Sequence, residues 1–131
     1  MVAALKMEHS VDPKKEIFDA IGNLDALEVF HSDVLVAIYQ RPEKTASGLY
    51  LSDITRKEDI WQGKVGLVLK KGPAAFKDDG RILFNGVDVD VGDWVYFRVS
   101  DGWSLTIHNT DCRMLQDVHI KGRVPYPDFV Y

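Results

Sequence analysis

Residues 87–97, Val87-Asp88-Val89-Asp90-Val91-Gly92-Asp93-Trp94-Val95-Tyr96-Phe97, read as two short β segments joined by a turn at Gly92-Asp93. Strict alternation from Val87 to Val91 puts three valines on one face and two aspartates on the other, the period-2 pattern of a half-buried strand. Trp94 to Phe97 then resumes as a run of aromatic and β-branched residues. Outward from this stretch the same rhythm recurs in Val34–Tyr39, in Val65–Leu69 bounded by Gly63 and Gly72-Pro73, and in Leu105–His108, Arg113–Leu115 and His119–Val124. About seven short strands are expected, with glycine or aspartate between many of them, and such strands predict an all-β chain folded as a small irregular antiparallel β-barrel. Val89, Val91, Val95 and Leu67 are expected in the core, with Asp88 and Asp90 facing outward.

Residues 1–32 follow a different rule. Asp12-Pro13 is a helix start, because aspartate caps free amides and proline is pre-set for the first helical position. Ile17, Phe18 and Ile21 fall at helical spacing, Gly22 offers a stop, and Leu24, Leu27 and Phe30 read as another turn or two. The prediction is a short N-terminal helical arm in front of the barrel. A barrel whose own face is polar has limited room for these apolar side chains. The arm is therefore expected to pack on the barrel rim and against a neighbouring subunit.

Composition narrows the function. The chain has 131 residues, 46% of them hydrophobic, and a formal net charge of −4. Acidic and basic residues are interspersed, so the electrostatic footprint of a nucleic-acid binder is missing. No apolar run approaches the ~20 residues of a membrane span, and the first residues lack the order of a signal peptide. A cytoplasmic protein with neither nucleic-acid nor membrane partners is expected. The one cysteine, Cys112, excludes an intrachain disulfide and reads as a small buried hydrophobe. His9, His31, His108 and His119 have no paired metal-ligand spacing, and no Gly-rich phosphate loop opens a helix. Asp88 and Asp90 share a strand face, but as a solvated exterior rather than a catalytic pair. Trp61, Trp94, Trp103 and Tyr96 lack interleaved basic residues and read as core or interface packing rather than base-stacking platforms. No catalytic residue, metal site or cofactor is expected, and the chain reads as a binding or assembly module rather than an enzyme.

One segment breaks the strand rhythm. Residues 41–62 form a long, mostly polar connection between two strands, with an isolated apolar triplet Leu49-Tyr50-Leu51 just after Gly48. Long loops in compact domains tend to be functional or disordered. An apolar triplet there reads either as a short locally packed strand, Leu49 to Ser52, or as a segment that docks in a partner's groove.

Together these motifs resemble a known family. Arg41 to Leu51, then Gln62-Gly63-Lys64-Val65, Gly80-Arg81-Ile82-Leu83 with Asn85-Gly86, and Val91-Gly92-Asp93 entering Trp94-Val95-Tyr96-Phe97 are similar in order and spacing to GroES-type co-chaperonins, over roughly residues 33–124. The resemblance implies a subunit of a homo-oligomeric ring, usually sevenfold, that caps a GroEL-type chaperonin and closes its folding chamber. It implies that Gly48, Leu49, Tyr50 and Leu51 are the mobile-loop residues that dock on the chaperonin's apical domains. It also implies that Phe76 through Gly86, with Arg81, Ile82, Leu83, Phe84 and Asn85, form a hairpin toward the dome of the ring.

Three features depart from the family pattern: the extension over 1–32, the altered approach to the hairpin at Pro73–Asp79, and the tyrosine within the triplet. These additions point to a bacteriophage-encoded relative that assists folding of a client such as a capsid protein in the host cytoplasm. The alternative is a virion decoration or connector protein built on the same barrel. The expected organisation is an arm over 1–32, a barrel over 33–124 containing the loop 41–62, and a tail over 125–131.

Overall fold

The computed structural model describes residues 12–40, 64–77, 84 and 86–129. The order of elements is α1 (Pro13–Ile21), β1 (Asp33–Ile38), β2 (Val65–Lys71), β3 (Trp94–Phe97), β4 (Trp103–Ile107), β5 (Thr110–Gln116) and β6 (Ile120–Val124), with 3-10 turns at Asp117–His119 and Pro127–Phe129. All ladders are antiparallel, and the strand order is β4-β5-β1-β2-β3-β6. The chain is therefore all-β and antiparallel with a short helix in front, as the alternation pattern predicts. Among the described residues β4 and β6 are the sheet's edges.

The centre of this sheet is β1, and its sequence Asp-Val-Leu-Val-Ala-Ile explains why. From Val34 on every residue is apolar, which suits burial on both faces. Val34, Val36 and Ile38 enter one core cluster with Val68, Val95, Phe97 and Leu115. Leu35, Ala37 and Tyr39 enter a second cluster with Leu67, Leu69, Trp94, Cys112 and Val124. Both faces are buried. Gly66, opposite Ile38, has no room for a side chain: an added Cβ would sit 3.0 Å from the Ala37 carbonyl oxygen and from Val36.

The second cluster is closed by the N-terminal arm. Asp12 caps α1, its carboxylate accepting from the Lys14 N–H at 3.2 Å, and Pro13 occupies the first turn. Gly22, at φ 70°, ends the helix with its N–H donated to the Phe18 carbonyl at 3.1 Å. Ile21 is fully buried, and Ile17, Phe18, Leu24 and Leu27 pack beside it on the cluster. The limited room expected for the arm is thus corrected: the chain's own sheet supplies an apolar face for it. The reason lies on β1 and β2, whose alternate residues Leu35, Ala37, Leu67 and Leu69 point outward from the other cluster and need a cover. Beyond Gly22 the helical reading also changes. Residues 24–27 form a single turn closed by the Leu27 N–H and the Leu24 carbonyl, and Phe30 is exposed.

Two sheet side chains hold this arm by its carbonyls. Lys70 Nζ donates to the Leu24 oxygen at 2.6 Å and also to the Leu27 oxygen. His108, at the tight β4–β5 turn, donates from Nδ1 to the Ile21 oxygen at 2.5 Å. Lys70 reaches the arm because β2 is irregular. The register jumps from Leu35↔Lys70 to Val36↔Val68, so Leu69 is bulged and Leu69 and Lys70 serve the same face. Lys71, one residue on, then belongs to the opposite face.

The segment Val87–Val91 departs from the strand predicted for it. It forms no ladder, only Val89 is buried, and Val87 and Val91 are about half exposed, so Val91 lies outside the core. Its backbone is satisfied instead by side chains and a turn. Lys71 Nζ donates to the Val89 carbonyl at 2.7 Å, Arg123 to the Asp88 carbonyl at 3.0 Å, and the Asp93 N–H to the Asp90 carbonyl at 3.1 Å. Alternation fixes which residues share a side, but a strand also needs backbone pairing with a neighbour, and the side-chain ties of this segment to β2 and β6 run through Lys71 and Arg123. Among the described residues six strands therefore stand, where about seven are expected for the chain. Leu67, Val89 and Val95 are buried and Asp88 and Asp90 exposed, in agreement with the sequence.

Ile21→Ala is expected to destabilise the protein by about 2–5 kcal/mol, because the side chain is fully enclosed between arm and sheet. Equilibrium urea unfolding measures this; a loss below half of the lower figure would show that the arm does not cover the core. Cys112 supplies a pH test. Burial, reinforced by Asp111, pushes its thiol from 9.0 up to about 11. Between those values the folded chain keeps a proton that the unfolded chain gives up. The thiol's contribution is thus complete below pH 9 and declines as pH rises toward 11. The urea midpoint of the native sequence should fall more steeply over that window than that of Cys112→Ala.

Candidate functional site

The two ends of the long connection between β1 and β2 are fixed side by side. The Tyr39 N–H donates to the Val65 carbonyl at 3.0 Å, and the Phe97 N–H to the Lys64 carbonyl at 2.9 Å. The Tyr39 ring stands edge-on to Trp94, with centroids 5.7 Å apart, inside the arm-side cluster. Its hydroxyl reaches the C-terminal turn and donates to Asp128 Oδ1 at 2.5 Å. Three chain segments thus meet at Tyr39: the exit of β1, the entry of β2 and the turn after β6. Gly48, Leu49, Tyr50 and Leu51 lie outside the described residues, between these fixed ends.

The segment expected to form the hairpin toward the dome is also firmly rooted. After β2, Gly72 N–H donates to the Asp33 carbonyl at 2.8 Å and Ala74 N–H to the His31 carbonyl at 2.9 Å, stitching the connection to the start of β1. Phe76 has φ 61°, in the left-handed region that phenylalanine rarely enters. The buried Asp117 carboxylate holds it there, accepting the Phe76 N–H at 3.0 Å. The Phe76 ring is buried in the cluster below and meets Phe84 edge-on at 5.5 Å. Lys71 lies 5.9 Å from the Phe76 ring centroid. The Val87 N–H donates to the Phe84 carbonyl at 2.9 Å, and Gly86, at φ 79°, supplies the left-handed backbone this tight turn uses. Phe76 and Phe84 therefore pack against the sheet at the root of the segment, and Gly86, exposed, turns the chain beside them. Arg81, Ile82, Leu83 and Asn85 lie outside the described residues.

Charged groups near this root act as surface ties. Lys71 Nζ lies 2.9 Å from Asp88 and 3.6 Å from Asp90, and its hydrogen bond holds the Asp88 carboxyl below the usual range. Arg123 meets Asp93 at 3.0 Å. The carboxylates that share a face in the sequence thus converge on a lysine at the protein surface. Arg113 is buried: its guanidinium donates to the Val99 carbonyl at 2.9 Å and lies 5.7 Å from the Phe97 ring centroid. Burial lowers its pKa, opposed by Asp101. Among the described residues no group of three or more histidine, cysteine, aspartate or glutamate side chains is placed to hold a metal ion, and no helix is long and apolar enough to cross a membrane.

Sequence reasoning passed over the residues that anchor both loops. Asp117 and Asp128 look like ordinary polar punctuation, and nothing in their spacing marks them as acceptors for Phe76 and Tyr39, which lie far away in the chain. Tyr39 carries a usable signal, since it ends an apolar strand immediately before the polar loop.

Residues 26–124 match the protein family described as the chaperonin 10 Kd subunit. Co-chaperonin GroES of Ruegeria pomeroyi is 31% identical over 97 residues, covering 74% of this chain and 96% of that protein. Co-chaperonin GroES 3 of Bradyrhizobium diazoefficiens is 33% identical over 92 residues, 70% of this chain and 83% of its own length. Co-chaperonin GroES of Pelagibacter ubique is 33% identical over 92 residues, 70% and 90% respectively. The matched segment begins at residue 26, within the arm, so the last turn before β1 belongs to the shared part while α1 precedes it. The chain is a member of the chaperonin 10 Kd subunit family, the non-enzymatic GroES-type co-chaperonins.

Proposed function

We propose that this protein is a ring-forming co-chaperonin lid that docks on a GroEL-type chaperonin through Leu49, Tyr50 and Leu51, with Gly48 in front of the triplet. Family membership over residues 26–124 carries this reading. The paired ends of the loop at Tyr39 and Val65 support it, because a rigid base lets the intervening segment extend without loosening the sheet.

Magnitudes favour an oligomer. Three apolar side chains entering a groove contribute about 1.5–3 kcal/mol each. Ordering ~15 loop residues costs on the order of 1 kcal/mol apiece if they start fully disordered. A single loop therefore binds weakly or not at all. A ring presenting several loops raises the effective concentration of each after the first, giving useful affinity that is still reversible. A sevenfold ring is the family expectation. The helical arm ahead of the matched segment and the altered approach to the hairpin favour a lid adapted to a particular client, for which a bacteriophage capsid protein is the working candidate.

Leu49→Ser or Leu51→Ser should abolish nucleotide-dependent capture by a GroEL-type chaperonin while leaving the ring intact by native mass spectrometry. Full capture by both variants would remove the triplet from the mechanism. Where the chain is encoded by a phage, mass spectrometry of purified virions should find it absent. Stoichiometric copies in mature particles would instead indicate a structural component.

A further inference from the structure

We draw no further inference here: the strongest candidate, the surface patch at the start of β4 where Trp103, 61% exposed, stands beside a groove lined by Asp33, Met114, Gln116 and His119, carries nothing because nothing in the structure shows what covers it.

Discussion

A strand buried on both faces needs a cover on each side, and β1 imposes that requirement on the rest of this molecule. Val34, Val36 and Ile38 point one way, Leu35, Ala37 and Tyr39 the other, and all are buried. β2 and β5 satisfy its backbone, but two strands in the same sheet cannot cover its faces. One face is closed by Ala75, Phe76 and Val89 from the connection between β2 and β3. The other is closed by Ile21 and Val29, with Ile17, Phe18, Leu24 and Leu27 packed against them. The arm is thus part of the core, although most of it precedes the segment shared with the family.

The bulge at Leu69 lets a single strand manage both covers. Without it, strict alternation would place Lys70 on the face with Val68. With it, Lys70 turns to the arm and takes two of its carbonyls, while Lys71 turns to Phe76, Asp88 and the Val89 carbonyl. Adjacent lysines therefore hold opposite sides of the same sheet. With His108 on Ile21, three of the arm's backbone oxygens are satisfied, and an amphipathic helix of only nine residues, too short to persist alone in water, is retained.

Most of the sheet was legible because β1, β2, β3 and β4 are rich in β-branched or aromatic residues and are bounded by clear turn residues. The start and stop of α1 were legible for the same kind of reason, since Asp12-Pro13 and Gly22 act through local backbone chemistry. Val87–Val91 misled because alternation records facing and not pairing. The arm's destination was hidden because it depends on which residues of β1 and β2 lack another cover, a property of the assembled sheet. Of the candidate site, the loop and its triplet could be read as an apolar interruption of a polar connection. The anchors could not: Asp117 and Asp128 act through contacts with Phe76 and Tyr39, and a short polar residue in a turn has the same local pattern whether or not a distant amide or hydroxyl comes to meet it.

The sheet is covered on both sides by segments of its own chain, and the connection that carries the triplet leaves it at Tyr39 and returns at Val65; in the lid reading proposed above, that connection is the part that meets the chaperonin. Hydrogen–deuterium exchange of the full chain, alone and with a nucleotide-loaded GroEL-type chaperonin, tests that picture most directly. The account expects new protection within residues 41–63, with the amides of β1, β2 and β5 unchanged. Unchanged exchange within 41–63, or a change spread across the central strands, would contradict it.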